Sequence, residues 1–232
     1  MTRQAQVLAF DVFGTVVDWH GSLVRELPVL APQVDGNAFA LAWRAGYQPA
    51  MQRVRSGELG WTRIDELHRI ILDDLLPRFG LSHFDEAQRQ HLNRAWHRLD
   101  PWPDTIPGLI RLKAKHFIAP LSNGNILLLA NMAKRAGMPW DAILGAEAAQ
   151  AYKPQPEAYL RTCEILGLQP AQVALVAAHN GDLAAARKSG LATAFVLRPN
   201  EHGADQATDT KAEQDWGAIA TSFEDLADKL GC

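Results

Sequence analysis

The chain has 232 residues, 47% hydrophobic and 21% charged, with a formal net charge of −3. That composition fits one packed domain, or a domain with one insertion, and the lack of clustered basic residues excludes a nucleic-acid footprint and an anionic-membrane surface. Two distant cysteines, Cys163 and Cys232, suit a reducing cytoplasm, and the first apolar run is far shorter than the roughly 18 residues of a membrane span, so a soluble cytoplasmic protein is expected.

Residues 7–10 (VLAF) read as a buried strand that ends at Asp11, with Gly14 marking a turn. From about Ser22 to Arg98 helical periodicity takes over, with helices predicted at 38–55, 62–78 and 85–99. The texture breaks at 100–104 (DPWPD). Beyond it, strands at 117–121, 142–144, 173–177 and 193–197 alternate with helices at 126–136, 156–166, 183–189 and 223–230. Such alternation predicts an α/β fold, a parallel sheet covered on both faces. The simplest arrangement joins residues 1–20 to 100–232 as the core and makes 21–99 an inserted helical cap. The polar run 200–214 (NEHGADQATDTKAEQ) reads as a surface loop without a required function.

In open α/β sheets ligands bind beyond the carboxyl ends of the strands. Four such places carry polar residues. Asp11 with Gly14 and Thr15 sets a carboxylate on a rigid element before a turn whose N–H groups can meet an anion. Ser122-Asn123-Gly124 offers a hydroxyl and an amide that can hydrogen-bond a carboxylate. Lys153 supplies a positive charge. His179-Asn180-Gly181-Asp182 brings a second carboxylate. Singly, each has an ordinary use: a turn residue for Asp11, a solvated chain for Lys153, a helix cap for Asp182. Their order and spacing together are what point to chemistry.

Asp11-Val-Phe-Gly-Thr15, Leu121-Ser-Asn-Gly124, Lys153-Pro154 and Asp182 resemble the haloacid dehalogenase superfamily, across nearly the whole chain. The resemblance implies a Rossmann-like core with a helical cap, and a first Asp that becomes covalently attached to substrate. The magnesium-dependent phosphatases of that superfamily carry a second acid two residues after the first. Here that position is Phe13, which transfers no proton, and the fourth motif holds a single acid, a poor set for a hard cation. The sequence is thus similar to the metal-independent 2-haloacid dehalogenase branch, with no cofactor. Trp43-Arg44 resembles the cap Arg that receives the halide, and Lys153-Pro154 followed by Tyr159 matches that branch, as does the neighbourhood 101–113.

The chemistry implied is hydrolysis of a small halogenated carboxylic acid. Asp11 displaces the halide in line, water attacks the resulting ester, and a 2-hydroxy acid is released. Lys153 keeps Asp11 ionised. Asp182, with Asn180 or His179, handles the water, while Thr15, Ser122 and Asn123 orient the carboxylates. Arg44 stabilises the departing halide ion. Val12, Phe13, Trp43, Arg44, Ser122, Asn123, His179, Asn180 and Tyr159 are expected around the substrate, with backbone N–H groups after Asp11 and at Ser122-Asn123 meeting its carboxylate. The run Ala177-Ala178-His179 lacks the hydroxyls and bulky aromatic that some dehalogenases carry there, so His179 or Asn180 is expected to replace them. The resemblance also implies pairing into a homodimer. The alternatives are a phosphatase of the same superfamily and a degenerate, non-catalytic member.

Overall fold

The computed structural model describes residue 2 and residues 5–232. The chain enters through β1 (Val7–Phe10), whose four residues are all buried, as a strand covered on both faces requires. It leaves through β2 (Val17–Asp18) and α1 (Trp19–Glu26), where the Asp18 side chain accepts from Gly21 N at 2.7 Å and caps the helix. Next come α2 (Gly36–Arg55), capped by Asp35, α3 (Ile64–Leu75) and α4 (Glu86–Asn93). A capping box between Asp85 and Gln88 starts α4. The predicted helices 62–78 and 85–99 each end in a 3₁₀ turn, Leu76–Phe79 and Arg94–His97. The return strand β3 (Asp100–Pro101) pairs antiparallel with β2, so departure and re-entry lie side by side.

The remainder alternates: α5 (Thr105–Lys113), β4 (Phe117–Pro120), α6 (Ile126–Ala136), the short α7 (Ala146–Ala149), α8 (Pro156–Leu166), β5 (Val173–Ala177), α9 (Asn180–Lys188), β6 (Ala192–Val196), β7 (Ala218–Ala220) and α10 (Phe223–Leu230). The sheet has the order β4-β1-β5-β6-β7 and is parallel at every pairing. Val7 registers with Phe117 on one side and Val173 on the other, which puts the ends of β1, β4 and β5 next to one another. This is a Rossmann-like α/β fold. One contiguous apolar cluster runs from Leu8 and Phe10 in the sheet through Phe13 and Trp19 to Phe39, Trp43, Leu67 and Trp96 in the helical segment. A second lies under α8 and α9, around Tyr159, Leu175 and Leu183. Among the described residues no helix is long and apolar enough to cross a membrane.

One predicted strand is corrected. Residues 142–144 are not extended, and β4 is the sheet edge. Asp141 takes the edge instead: its N donates to Ile118 O at 2.9 Å and its Oδ2 accepts from Ile118 N at 2.9 Å. A side chain that satisfies the edge leaves nothing for a further strand to pair with. The fifth strand is β7, three residues long and with Ile219 exposed, too short to show a period.

Candidate active site

Asp11 follows β1, an interior strand between β4 and β5. Its N donates to Val176 O at 3.0 Å, so its backbone is still held by β5, and the residue is only 6% exposed. Oδ1 accepts from Lys153 Nζ at 2.8 Å, and Oδ2 accepts from Thr15 Oγ1 at 2.8 Å. Thr15 Oγ1 itself accepts from Ala178 N at 2.9 Å, which fixes its proton toward Asp11. His179 Nδ1 lies 3.0 Å from the same Oδ2. Lys153 Nζ also bonds Asp182 Oδ2, so one ammonium bridges both carboxylates, and Tyr159 OH donates to Asp182 Oδ1 at 2.6 Å.

Burial works against the charge on Asp11, but Lys153 and His179 outweigh it and hold its carboxyl well below the usual carboxylate range. Burial alone would also discharge Lys153; the two carboxylates reverse this and push the ammonium above its ordinary value. Burial and then Asp182 raise the Tyr159 phenol, which therefore stays a donor. A buried carboxylate kept ionised and oriented in this way can act as a nucleophile.

The loop under Asp11 is pinned from several directions. Trp102 Nε1 donates to Gly14 O and Thr105 Oγ1 to Val16 O, each at 2.8 Å. The buried Arg198, just after β6, donates through Nε to Thr15 O and through Nη1 to Asp104 Oδ1, both at 2.8 Å. The unusual 100–104 texture is thus part of the clamp that holds the loop after Asp11.

Opposite stands the face of α2. The cavity between the two walls holds about 400 Å³ and is lined by Asp11, Phe13, Asn123, Lys153, His179 and Asp182 on one side. Arg44, Tyr47 and Gln48 line the other, at helical spacing i, i+3 and i+4. The Arg44 guanidinium lies 4.2 Å from the Tyr47 ring centroid and 5.4 Å from that of Trp19, and among the described residues its buried Nη1 has no hydrogen-bond partner.

Several expected site residues sit elsewhere. Trp43 does not line the cavity; it is fully buried, donating to His68 O at 3.0 Å and meeting Phe39 and Trp96 edge-on. One residue of helical rotation sends Trp43 inward and Arg44 outward. The Val12 side chain is in the core, and its carbonyl closes the turn by accepting from Val16 N and Val17 N. Ser122 Oγ accepts from Gly124 N at 3.1 Å, and Asn123 Oδ1 accepts from Lys153 N at 2.8 Å. Among the described residues neither side chain hydrogen-bonds Asp11; they shape the loop and fix the lysine, although Asn123 does line the cavity as expected. Asn180 faces away: it donates to Asp209 and Lys211 and accepts from Glu213 N and Trp216 Nε1, pinning the 200–214 loop.

That loop holds the residue the sequence reading passed over. Glu201 is 1% exposed; its Oε2 is 2.8 Å from His179 Nε2, and its Oε1 accepts from Trp19 Nε1 at 3.0 Å. Burial would raise its carboxyl, but the charge and hydrogen bond of His179 bring it down to about 2. Burial would also discharge His179, yet Glu201 and Asp11 push the imidazole well above its usual value. A carboxylate at each ring nitrogen leaves both nitrogens as donors, so the ring is an imidazolium. Tyr47 was missed as well, because an aromatic at helical spacing reads as core. The one signal for Glu201 is Gly14 (φ +88°): a Cβ there would lie 2.1 Å from Glu201 Oε1.

Fold and site together define a Rossmann-like protein whose cleft is built around a buried, ionised strand-end carboxylate. The haloacid dehalogenase-like hydrolase family matches residues 5–190, and the chain belongs to it. It is 31% identical over 209 residues to (S)-2-haloacid dehalogenase 4A of Burkholderia cepacia, covering 85% of each chain. The crystal structure of a defluorinating L-2-haloacid dehalogenase superposes with a TM-score of 0.96 at 48% identity, over 98% of this chain and 96% of the other. A phosphoglycolate phosphatase of Neisseria meningitidis is similar at 25% identity over 236 residues, covering 97% and 94%.

Proposed function

We propose that this chain hydrolyses small 2-haloacids to 2-hydroxy acids through a covalent ester on Asp11. The observation that carries the reading is the pairing across the cleft: an ionised Asp11 held by Lys153 faces a wall where Arg44 keeps a buried nitrogen unpartnered. Asp11 displaces the halogen in line with inversion, and Arg44 receives the halide. A halide leaving group needs a cation and no proton, which agrees with Phe13 where a proton donor would stand in a phosphatase. Asp182, fixed by Tyr159 and Lys153, takes the proton of the hydrolytic water. Phe13 and Tyr47 supply apolar walls that keep bulk water from the reacting carbon. On this reading residues 1–20 and 100–232 carry the nucleophile, and 21–99 form the cap that brings Arg44.

The bridging ammonium also bears on the metal question. Lys153 already stands between Asp11 and Asp182, the two acids a divalent cation would need. The reading therefore needs no metal.

The test is halide release from a panel of small 2-haloacids of both enantiomers, with and without chelator, using Asp11→Asn as control. Fluorinated members belong in the panel because the relative at 48% identity is described as defluorinating. Release that persists in chelator and vanishes in Asp11→Asn is expected. Release that needs magnesium, or phosphate-ester hydrolysis in its place, would turn the reading toward the phosphatase relative.

A further inference from the structure

The two oxygens of Asp11 are unlike. Oδ1 has Lys153 Nζ as its partner, whereas Oδ2 has two, Thr15 Oγ1 at 2.8 Å and His179 Nδ1 at 3.0 Å. An attacking oxygen needs a free lone pair, so Oδ1 is the better nucleophile, and Oδ2 becomes the carbonyl oxygen of the ester. The two donors at Oδ2 then point at the atom on which negative charge gathers when water adds.

The ring that makes one of these bonds is unusually constrained. Glu201 Oε2 holds Nε2 at 2.8 Å, Trp19 Nε1 holds Oε1 at 3.0 Å, and Gly14 leaves the space in which that carboxylate lies. Nothing in the displacement step calls for a cation at Oδ2; a charged donor there weakens the attacking carboxylate. Its benefit falls in the second step.

We infer that His179, held as an imidazolium by the buried Glu201, is the oxyanion donor for hydrolysis of the Asp11 ester, with Asp182 and not His179 as the base. The inference rests on the covalent dehalogenase reading. In the step, water oxygen bonds to Cγ of Asp11 as one of its protons passes to Asp182. The carbonyl electron pair moves onto Oδ2, facing His179 Nδ1–H and Thr15 Oγ1–H. The pair then returns, the Cγ–Oδ1 bond breaks, and Oδ1 leaves as the hydroxyl oxygen of the product with the second water proton. Asp11 regains its carboxylate with a water-derived oxygen, and Asp182 loses its proton to solvent.

Glu201 has a distinct place in this sequence. Once Asp11 is an ester it carries no charge, and His179 keeps Glu201 as its neighbouring anion. The other charged or titratable groups around the ring are Arg44 from α2, His202 beside Glu201, whose imidazole burial lowers, and Lys153 with Asp182 beyond Asp11. Without Glu201, burial and the Arg44 and Lys153 cations favour the neutral ring, which leaves Nδ1 a weaker donor.

The experiment compares first-turnover halide release by rapid quench with intact-protein mass in wild type, His179→Gln and Glu201→Gln, all full length. In His179→Gln the ester is expected to accumulate, its hydrolysis slowed about 10²–10³-fold, the size of effect seen when one oxyanion donor is lost. First-turnover halide release should fall less than about 10-fold, since displacement draws nothing comparable from this donor. Glu201→Gln should accumulate the same species and move the alkaline limb of the steady-state rate to lower pH. Equal slowing of halide release and product formation without ester, or unchanged turnover in His179→Gln, would overturn the inference. A wild-type protein that releases no halide and forms no ester removes the dehalogenase reading instead.

Discussion

On the sheet side of the cleft Asp11, Lys153, Asp182, His179 and Glu201 hold one another in a continuous chain of charged hydrogen bonds. On the α2 side, among the described residues, Arg44 Nη1 and both ring nitrogens of His68 are buried without a partner. His68 lies 4.2 Å from Trp96 in a stacked pair, with Tyr47 on its other side, and Phe13 and Trp43 edge-on. The difference teaches how the labour is divided. On the dehalogenase reading a nucleophile must be preorganised before substrate arrives, and the carboxylates of its wall are all partnered. A group that receives a leaving anion must be underbonded until that anion appears.

The largest effect should come from breaking the partnered carboxylate network at its centre. Asp11→Asn keeps the volume but supplies no carboxylate, and halide release should fall on the order of 10⁴-fold or more, measured as single-turnover rate. Retained activity would mean that another group attacks.

Lys153→Met comes next. It leaves Asp11 and Asp182 as neighbouring like charges in a buried site, and removing one partner of such a pair costs about 3–5 kcal/mol of stability. The rate should fall on the order of 10³-fold. The pH profile gives the sharper reading. In the wild type Lys153 helps hold Asp11 far below the usual carboxylate range, so its ionisation survives into acid. Without the ammonium, burial and Asp182 raise that carboxyl, and the acid limb of the rate should move to higher pH. An unmoved limb would assign the holding role elsewhere.

The two walls were also unequally legible from sequence. Lys153 follows α7 rather than the strand expected there and was legible from its Lys-Pro motif alone. Asp11, Thr15 and Asp182 stand at or just beyond the ends of β1 and β5, where strand-end position carries the information. Ser122 and Asn123 were found for the same reason, although their side chains act on Gly124 and Lys153 rather than on Asp11. Glu201 was illegible because it opens a polar run with no period, and its burial is decided by Gly14, Trp19 and His179, which are distant in sequence. On α2 the register of a single helix decided the outcome. Trp43 and Arg44 are adjacent, yet only Arg44 reaches the cavity, and Tyr47 does so three residues on. Periodicity marks a face; it does not say which edge of that face the rest of the chain leaves open.

The underbonded wall can be tested for function first. Arg44→Ala should lower kcat/KM about 10²-fold for a chlorinated substrate, because it deletes the cation without disturbing the Asp11 network. Inhibition by added halide should weaken in parallel. A loss that leaves halide inhibition intact would place the anion elsewhere and make Arg44 a packing residue over Tyr47 and Trp19.

His68→Phe is the smallest effect and separates the two kinds of underbonded group on that wall. Arg44 lines the cavity, and on the dehalogenase reading the departing halide is its ligand. His68 does not line it, so its unpaired nitrogens have desolvation cost without a matching ligand. Phe fits the same aromatic stack and removes that cost, so the variant should gain about 1–3 kcal/mol in denaturant unfolding near neutral pH. Acid should enlarge the difference. Burial lowers the His68 imidazole from 6.5 to about 3, so between those values the unfolded chain binds a proton that the folded chain refuses. Folded stability is therefore lost as pH falls through 6.5 toward 3, and Phe abolishes that loss. His179 has the opposite sign, since its raised value means the folded state keeps a proton as pH climbs. If His68→Phe instead destabilised the protein and slowed turnover, the imidazole would have to be acting on the cleft through Tyr47, and the wall would hold two functional groups rather than one.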